Sequence, residues 1–233
     1  DLRPDRCFEI IVKNSISGIS YEFENPRLLQ EALTHRSCGS RNYERLEFLG
    51  DSVLNLVVSS RLFELKPEAQ EGDLSRMRAR LVRGSSLAKV ASSIDLGKYL
   101  NLGEGEKKSG GFRRSSILAD AFEAILGSIY LDGGFVACRD EILRLFDPLI
   151  ESLPGVEDLK DAKTRLQEWL QARGRPLPQY VLTGEEGADH AKKFTVQCVL
   201  PDDGSCVEAV GNGRRKAEQA AAATTLQRLQ EKV

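Results

Sequence analysis

The sequence predicts an all-α N-terminal domain followed by a small α+β domain of order α-β-β-β-α, and three observations carry that expectation. Residues 1 to about 152 hold long apolar runs at helical spacing and no strand-like alternation. A short acidic stretch with Pro and Gly, Glu151 to Asp158, then interrupts the periodicity. Beyond it, three short pieces of period-two alternation lie between two helical segments. The expected division is a helical domain over 1–152, a linker over 153–160 and a second domain over 161–233.

In the first domain the apolar runs predict helices at 26–35, 43–65, 73–92, 116–131 and 136–150. In the second, a helix over 161–173 ends at Gly174-Arg175-Pro176-Leu177-Pro178. Strands follow near 179–185, 193–200 and 205–210, and a last helix runs from Arg214 to about Lys232. The intervening Gly184 to Gly187, Pro201-Asp202-Asp203-Gly204 and Gly211-Asn212-Gly213 supply residues that tolerate turn geometry.

With 233 residues, 41% of them hydrophobic and 29% charged, the chain is globular rather than disordered or fibrous. No run approaches the roughly 18 to 20 apolar residues of a membrane span. The opening Asp1-Leu2-Arg3-Pro4-Asp5 lacks the basic and apolar regions of a secretory signal, so a cytoplasmic location without a membrane partner is expected. Five scattered cysteines with no CxxC pair suit a reducing compartment, and two histidines, His35 and His190, argue against a zinc site. A net charge of −2 does not by itself suggest a polyanion partner. The charge is segregated, however: basic residues gather at Arg76, Arg78, Arg80 and Arg83, at Lys107, Lys108, Arg113 and Arg114, and at Arg214-Arg215-Lys216.

Acids gather elsewhere. In Tyr43 to Ser52, Glu44, Glu47 and Asp51 stand at i, i+3 and i+7, within about 60° of arc on one helix face. Leu46, Leu49, Val53, Leu56 and Val57 form the opposite, core-facing side. Aligned carboxylates repel one another, so the face is either solvated surface or a site for a divalent cation. Asp120 and Glu123 tip that balance, because they lie at i, i+3 inside the otherwise apolar run Ile117 to Leu126, where desolvation demands a pair or a metal. Glu71 opens the turn ahead of the arginine-bearing helix, a place where the helix dipole favours an acid.

Tyr43-Glu44-Arg45-Leu46-Glu47-Phe48-Leu49-Gly50-Asp51-Ser52 resembles the signature of the ribonuclease III family. Lys107 to Arg114 followed by Ser116 to Glu123 resembles its second motif. The resemblance spans nearly the whole chain and implies an endoribonuclease that hydrolyses both strands of double-stranded RNA, leaving 5′-phosphate and 3′-hydroxyl ends with short 3′ overhangs. It implies Mg²⁺, with Mn²⁺ as substitute, held by Glu47, Asp51, Asp120 and Glu123. Glu123 is then the bridging ligand, Asp51 orients the attacking water, and Glu44 and Glu71 have supporting roles. All six acids are present, which argues against an inactive member, and ribosomal precursor RNA is the substrate the family suggests. A non-catalytic RNA-binding protein and a DNA nuclease are the alternatives.

Phe48 projects near the acidic face, which suits insertion into a partner subunit, as in the homodimer the resemblance implies; cover by its own domain is the other reading. Gly50 can mark a close backbone approach there. Arg76, Arg80 and Arg83 share one helix face, and Lys107, Lys108, Arg113 and Arg114 form a basic loop around Gly110-Gly111. Either set can meet phosphates or be plain surface. His35 reads as a structural hydrogen-bonding residue rather than a base.

The last helix starts with Arg214, Arg215 and Lys216, where cations oppose the helix dipole and an anion is needed to compensate. This resembles a double-stranded RNA-binding domain, and the resemblance adds Gln167 and Glu168 on the first helix and His190 in the first inter-strand loop as RNA contacts. Such modules read A-form shape and 2′-hydroxyls rather than sequence. One departure is the lack of the small polar residues, often serines, that usually stand between Gly213 and Arg214.

Overall fold

The computed structural model describes residues 15–155, 160–187 and 192–231. The chain divides between Leu153 and Pro154 into two compact units. His190 and linker residues 156–159 lie outside the described residues.

The first unit is helical: α1 Pro26–Ala32, α2 Glu44–Leu65, α3 Glu71–Val82, α4 Gly84–Ser93, α5 Glu104–Lys108 and α6 Ser115–Glu151. Short 3₁₀ turns cover Arg36–Cys38, Leu96–Tyr99 and Gly111–Arg113. Helix α6 is the centre and packs against α1, α2 and α4. It buries Phe122, Ile125, Leu126, Ile129, Ile142 and Phe146 completely, each such side chain stabilising the fold by about 1.5–3 kcal/mol. Helix α6 is long and apolar enough on average to cross a membrane, but Asp120, Glu123 and Asp132 interrupt its apolar run, and half of its most apolar stretch is buried in this unit. Its apolarity serves the core of this unit instead.

Two helix boundaries differ from the expectation. The run predicted over 73–92 is broken at Arg83, whose extended backbone (φ −63°, ψ 146°) ends α3 and caps α4. The segments predicted over 116–131 and 136–150 are nearly continuous, separated only at Gly134 with φ 78° and ψ −176°, a conformation that favours glycine. The core face of α2 also shifts: Leu46, Gly50, Val53, Leu54, Val57, Val58 and Leu62 are buried, whereas Leu49 is half-buried and Leu56 is 55% exposed. Leu56 belongs with Phe48 and Phe63, exposed by 78% and 73%, to a second apolar face of the same helix.

Long-range polar contacts fix the loops around this core. The Asp132 carboxylate accepts from the Tyr21 hydroxyl at 2.9 Å and from the backbone amides of Glu24 and Asn25 at 2.8 and 3.0 Å. Burial and that carboxylate push the Tyr21 hydroxyl up to about 12. A parallel bridge pairs Thr34 with Asn101, and the His35 amide donates to the Asn101 carbonyl at 3.0 Å.

The second unit comprises α7 Ala162–Gln171, strands β1 Gln179–Glu186, β2 Lys193–Val199 and β3 Cys206–Gly211, and α8 Arg214–Gln230. The strands form an antiparallel sheet in the order β1-β2-β3, with a register shift between Leu182 and Gly184. Leu166 and Leu170 of α7 meet Cys198 of β2 and Ala221, Ala222 and Leu226 of α8 in one core. The alanines let α8 lie close to the sheet. Gly211 makes the tight entry possible, since a Cβ there would sit 2.5 Å from the Ala217 amide nitrogen.

Candidate metal centre and nucleic-acid face

The acidic residues of α2 and α6 meet because two glycines let the helices touch backbone to backbone. A Cβ on Gly50 would lie 1.8 Å from the Glu123 carbonyl oxygen, and one on Gly127 would lie 2.2 Å from that of Leu46. Neither contact is possible for a real Cβ, so the crossing requires glycine at both places. The close approach marked by Gly50 is therefore to α6 of its own unit, which corrects the reading that placed it at a partner. Gly127 escaped the sequence reading, though its position four residues after Glu123 mirrors Gly50 three residues after Glu47.

Directly beside this crossing, carboxylate oxygens of Glu47, Asp120 and Glu123 all lie within 4.8 Å of one another. None of the three is in an ion pair among the described residues. Burial and the charges of Asp51, Glu47 and Asp120 push the Glu123 carboxyl up to about 8. Glu47 is raised by burial and by Asp120, Glu44 and Asp51, with Arg36 opposing. Asp120 is raised by burial, against the pull of His35 and Arg36. Three half-buried carboxylates with no direct ion-pair partner, only partly offset by Arg36, are the condition a divalent metal relieves.

The other acids take separate places. Asp51 is exposed and lies outside the trio, its carboxylate accepting from the Asn55 amide at 2.7 Å. Glu44 faces Arg36 at 3.6 Å. Glu71 begins α3, accepts from the Ser75 hydroxyl at 2.8 Å and lines a different cavity, with Ser59, Leu62, Phe63, Leu74 and Arg78.

The basic residues of this unit are more ordered than a loop. Lys107 and Lys108 close α5, and Lys107 faces Glu104 at 3.6 Å. Arg113 lies over the Phe112 ring, 4.8 Å from its centroid, and Arg114 pairs with Glu106 at 3.0 Å. Gly110, at φ 76°, makes the turn between them. Arg76 is tied to the buried Asp73 at 2.6 Å, and Arg83 has left the helix, so of the three-arginine face only Arg80 stays exposed on α3. His35 is a hydrogen-bonding residue as expected: its Nδ1 accepts from the Ser37 amide at 3.1 Å and meets the Ser37 hydroxyl at 2.7 Å.

Residues 25–149 match the Ribonuclease-III-like family model and residues 162–229 the double-stranded RNA binding motif. The chain belongs to the ribonuclease III family. Ribonuclease 3 of Shewanella amazonensis is 55% identical over 212 residues, covering 91% of this chain and 93% of that protein. That of Legionella pneumophila is 52% identical over 212 residues, covering 91% and 95%. A solved nuclease domain of ribonuclease III from Campylobacter jejuni aligns over 57% of this chain and 92% of its own, with 46% identity and a TM-score of 0.55. A second structure of that domain, described for flexibility in a region involved in dimer formation, gives 48% identity and a TM-score of 0.54 over 55% and 90%. This chain is thus a ribonuclease III-family endoribonuclease acting on double-stranded RNA.

The RNA-binding motif of this ribonuclease III-family chain presents its charges differently. Gln167 of α7 shares a cavity with Arg214 and Arg215 at the start of α8. Glu218 holds Lys163 at 2.7 Å and Arg214 at 3.1 Å, and these two cations keep its carboxyl below the usual range. Arg215 and Lys216 are exposed, and Gly213 starts α8 without any side-chain cap. A glycine at the N-cap offers no side chain to the first amides of α8. Glu168, the other candidate on α7, pairs with Lys160 at 2.6 Å.

Proposed function

We propose that this endoribonuclease cuts both strands of double-stranded RNA as a homodimer with Mg²⁺, leaving 5′-phosphate and 3′-hydroxyl ends, with ribosomal precursor RNA among its substrates. The observation that carries the reading is the convergence of Glu47, Asp120 and Glu123, whose carboxylate oxygens lie within 4.8 Å of one another with no ion-pair partner among the described residues. When bound, Mg²⁺ or Mn²⁺ supplies charge neutralisation at the phosphate and a lowered pKa for water. Glu47, Asp120 and Glu123 hold it, and Glu123, pushed up to about 8, releases its proton to do so. Asp51, braced by Asn55, orients the attacking water for in-line displacement. Arg214, Arg215, Lys216 and the uncapped amides of α8 hold duplex phosphates, and Gln167 reaches the minor groove beside them. Glu168 and His190 are the further minor-groove contacts, and Lys107, Lys108, Arg113 and Arg114 the backbone contacts near the cut.

The exposed face Phe48, Leu56 and Phe63 supports the dimer, since large apolar side chains grouped on one helix face call for a covering surface. The cavity beside Leu62, Phe63 and Leu74, about 500 Å³, accommodates a phenyl ring from a second copy. Glu71 stands on its wall, so docking of the partner's α2 there brings Glu71 next to the partner's acidic face. The test is cleavage of a long, fully paired RNA with Mg²⁺, with EDTA, and by a Glu123→Gln variant. Metal-dependent cutting that falls at least about a hundredfold in the variant supports the reading. Binding without cutting under either metal removes it.

A further inference from the structure

The polar ground beside the acidic trio extends past the metal ligands. A cavity of about 380 Å³ begins at Glu47 and Asp120 and is walled by His35, Arg36, Tyr43, Arg114 and Ser116. Three kinds of donor face it. Arg36 and Arg114 bring guanidinium groups, each already shared with a carboxylate, Glu44 and Glu106. Ser116 lies in the first turn of α6, a long helix whose N-cap, Arg114, supplies no side-chain cap, so its first amides are open to an anion.

His35 is the third donor and the most constrained. It is only 7% exposed. Its Nδ1 accepts from the Ser37 amide, and the Ser37 hydroxyl accepts from the Gly103 amide at 2.8 Å, which leaves that hydroxyl to donate to Nδ1. Gly103 is held against this turn, a Cβ there falling 2.6 Å from the Ser37 carbonyl oxygen. Nδ1 being an acceptor, the ring carries its hydrogen on Nε2. Nε2 has no hydrogen-bond partner among the described residues, and His35 lines the cavity.

We propose that this cavity is a subsite for the RNA phosphate next to the one being cut, and that His35, through Nε2–H, is its positioning residue. The inference rests on the nuclease reading above, since it takes Glu47 and Asp120 as metal ligands. The charge balance sets the order of events. Glu44 and Glu106 neutralise Arg36 and Arg114, and the remaining negative charge belongs to Glu47 and Asp120, so the phosphate enters after the divalent cation. Arg36 and Arg114 then exchange a carboxylate for the phosphate, and Nε2–H fixes one non-bridging oxygen so that the neighbouring phosphate reaches the acids in register.

The test couples a neutral methylphosphonate, placed immediately 5′ or 3′ of the scissile phosphate, to changes in the cavity. His35→Asn keeps an acceptor for Ser37, but its shorter amide places no N–H at the Nε2 position, whereas His35→Gln restores an N–H there. Ser116→Asp adds a negative charge at a helix start that tolerates one. Two readouts are taken: single-turnover cleavage with Mg²⁺, and duplex affinity with Ca²⁺ in its place. At one of the two positions the methylphosphonate weakens wild type about tenfold and His35→Asn no further, and His35→Gln regains sensitivity. Ser116→Asp loses about tenfold on natural RNA and recovers on the neutral duplex. Equal methylphosphonate effects in wild type and His35→Asn at both positions overturn the subsite, as does wild-type behaviour of His35→Asn. Coupling in affinity without any cleavage leaves the subsite standing and removes the nuclease reading instead.

Discussion

The acidic centre of the first unit and the basic corner of the second are both clusters of charge, but they are held in opposite ways. Glu47, Asp120 and Glu123 are alike in sign, partly desolvated and without ion-pair partners among the described residues. Arg214 and Lys163 share one acid, Glu218, whose own carboxyl is stabilised by them. The first cluster is costly until something binds, whereas the second is partly compensated by Glu218 and gives up little when it opens. A metal centre thus withholds stability that its ligand restores, while a phosphate-binding corner trades one partner for another. The difference teaches that unpaired charge points to a cation site more sharply than the number of charges does.

The largest way to break this comparison is to separate the helices. Gly127→Ala places a Cβ against the Leu46 carbonyl, so α2 and α6 must part. The expected loss is about 3 kcal/mol of stability or more, read from denaturant unfolding, together with weakened Mn²⁺ binding by titration. Gly134→Ala, by contrast, meets no atom within 4 Å and is opposed only by its positive φ, so it leaves metal binding unchanged and costs about 1 kcal/mol.

Next in size is the apolar face of α2 proposed to form the dimer. Phe48→Ala removes an exposed ring whose transfer into a partner stabilises by about 2–3 kcal/mol per copy. Sedimentation should show dissociation at concentrations where wild type is dimeric, with the melting temperature of the monomer unchanged. A wild-type monomer at all concentrations would sink the assignment.

The pH dependence follows from Glu123 with a definite sign. A carboxyl raised from 4.5 to about 8 contributes stability that is present below its unfolded value and is lost as pH rises through the folded one. Metal-free protein should therefore lose stability at this site between about pH 4.5 and 8, and Mg²⁺ should raise the melting temperature more at pH 8 than at pH 6. Glu123→Gln should melt a few degrees above metal-free wild type at pH 8 and gain almost nothing from Mg²⁺. The smallest effect belongs to the second unit: Glu218→Gln frees Lys163 and Arg214, so duplex affinity should rise a few-fold at low salt while stability falls by about 1 kcal/mol.

Much of the architecture was legible in the sequence because its signals are local. Period-two alternation marked the three strands, and Gly211-Asn212-Gly213 marked the entry to α8. Acids at i, i+3 and i+7 marked the face of α2, and Asp120 with Glu123 marked its partner on α6. What the sequence hid depends on which helices touch. Leu49 and Leu56 read as core from spacing alone, yet Leu56 belongs to a second apolar face of α2, with Phe48 and Phe63, that the described residues leave exposed. The break at Arg83 was announced by Gly84-Ser85-Ser86, but the apolar periodicity over 73–92 runs straight across it. Gly127 carries no local signal of its role, which lies in the Leu46 carbonyl packed against it from α2. Asp51, expected in the same set as Glu47, Asp120 and Glu123, stands outside that trio and is bonded to Asn55.

The contacts of Asp132 bear on how the enzyme comes into being. That carboxylate bonds Tyr21, Glu24 and Asn25 across 111, 108 and 107 residues of chain, and Glu47 likewise waits for α6 before it meets Asp120 and Glu123. Contacts of such separation form late, because long loops must close before the contacts return any energy. A growing chain therefore carries its first acidic helix for a long stretch of synthesis without a working site. An enzyme that attacks RNA stays inert beside the RNA-rich machinery that makes it until α6 has emerged.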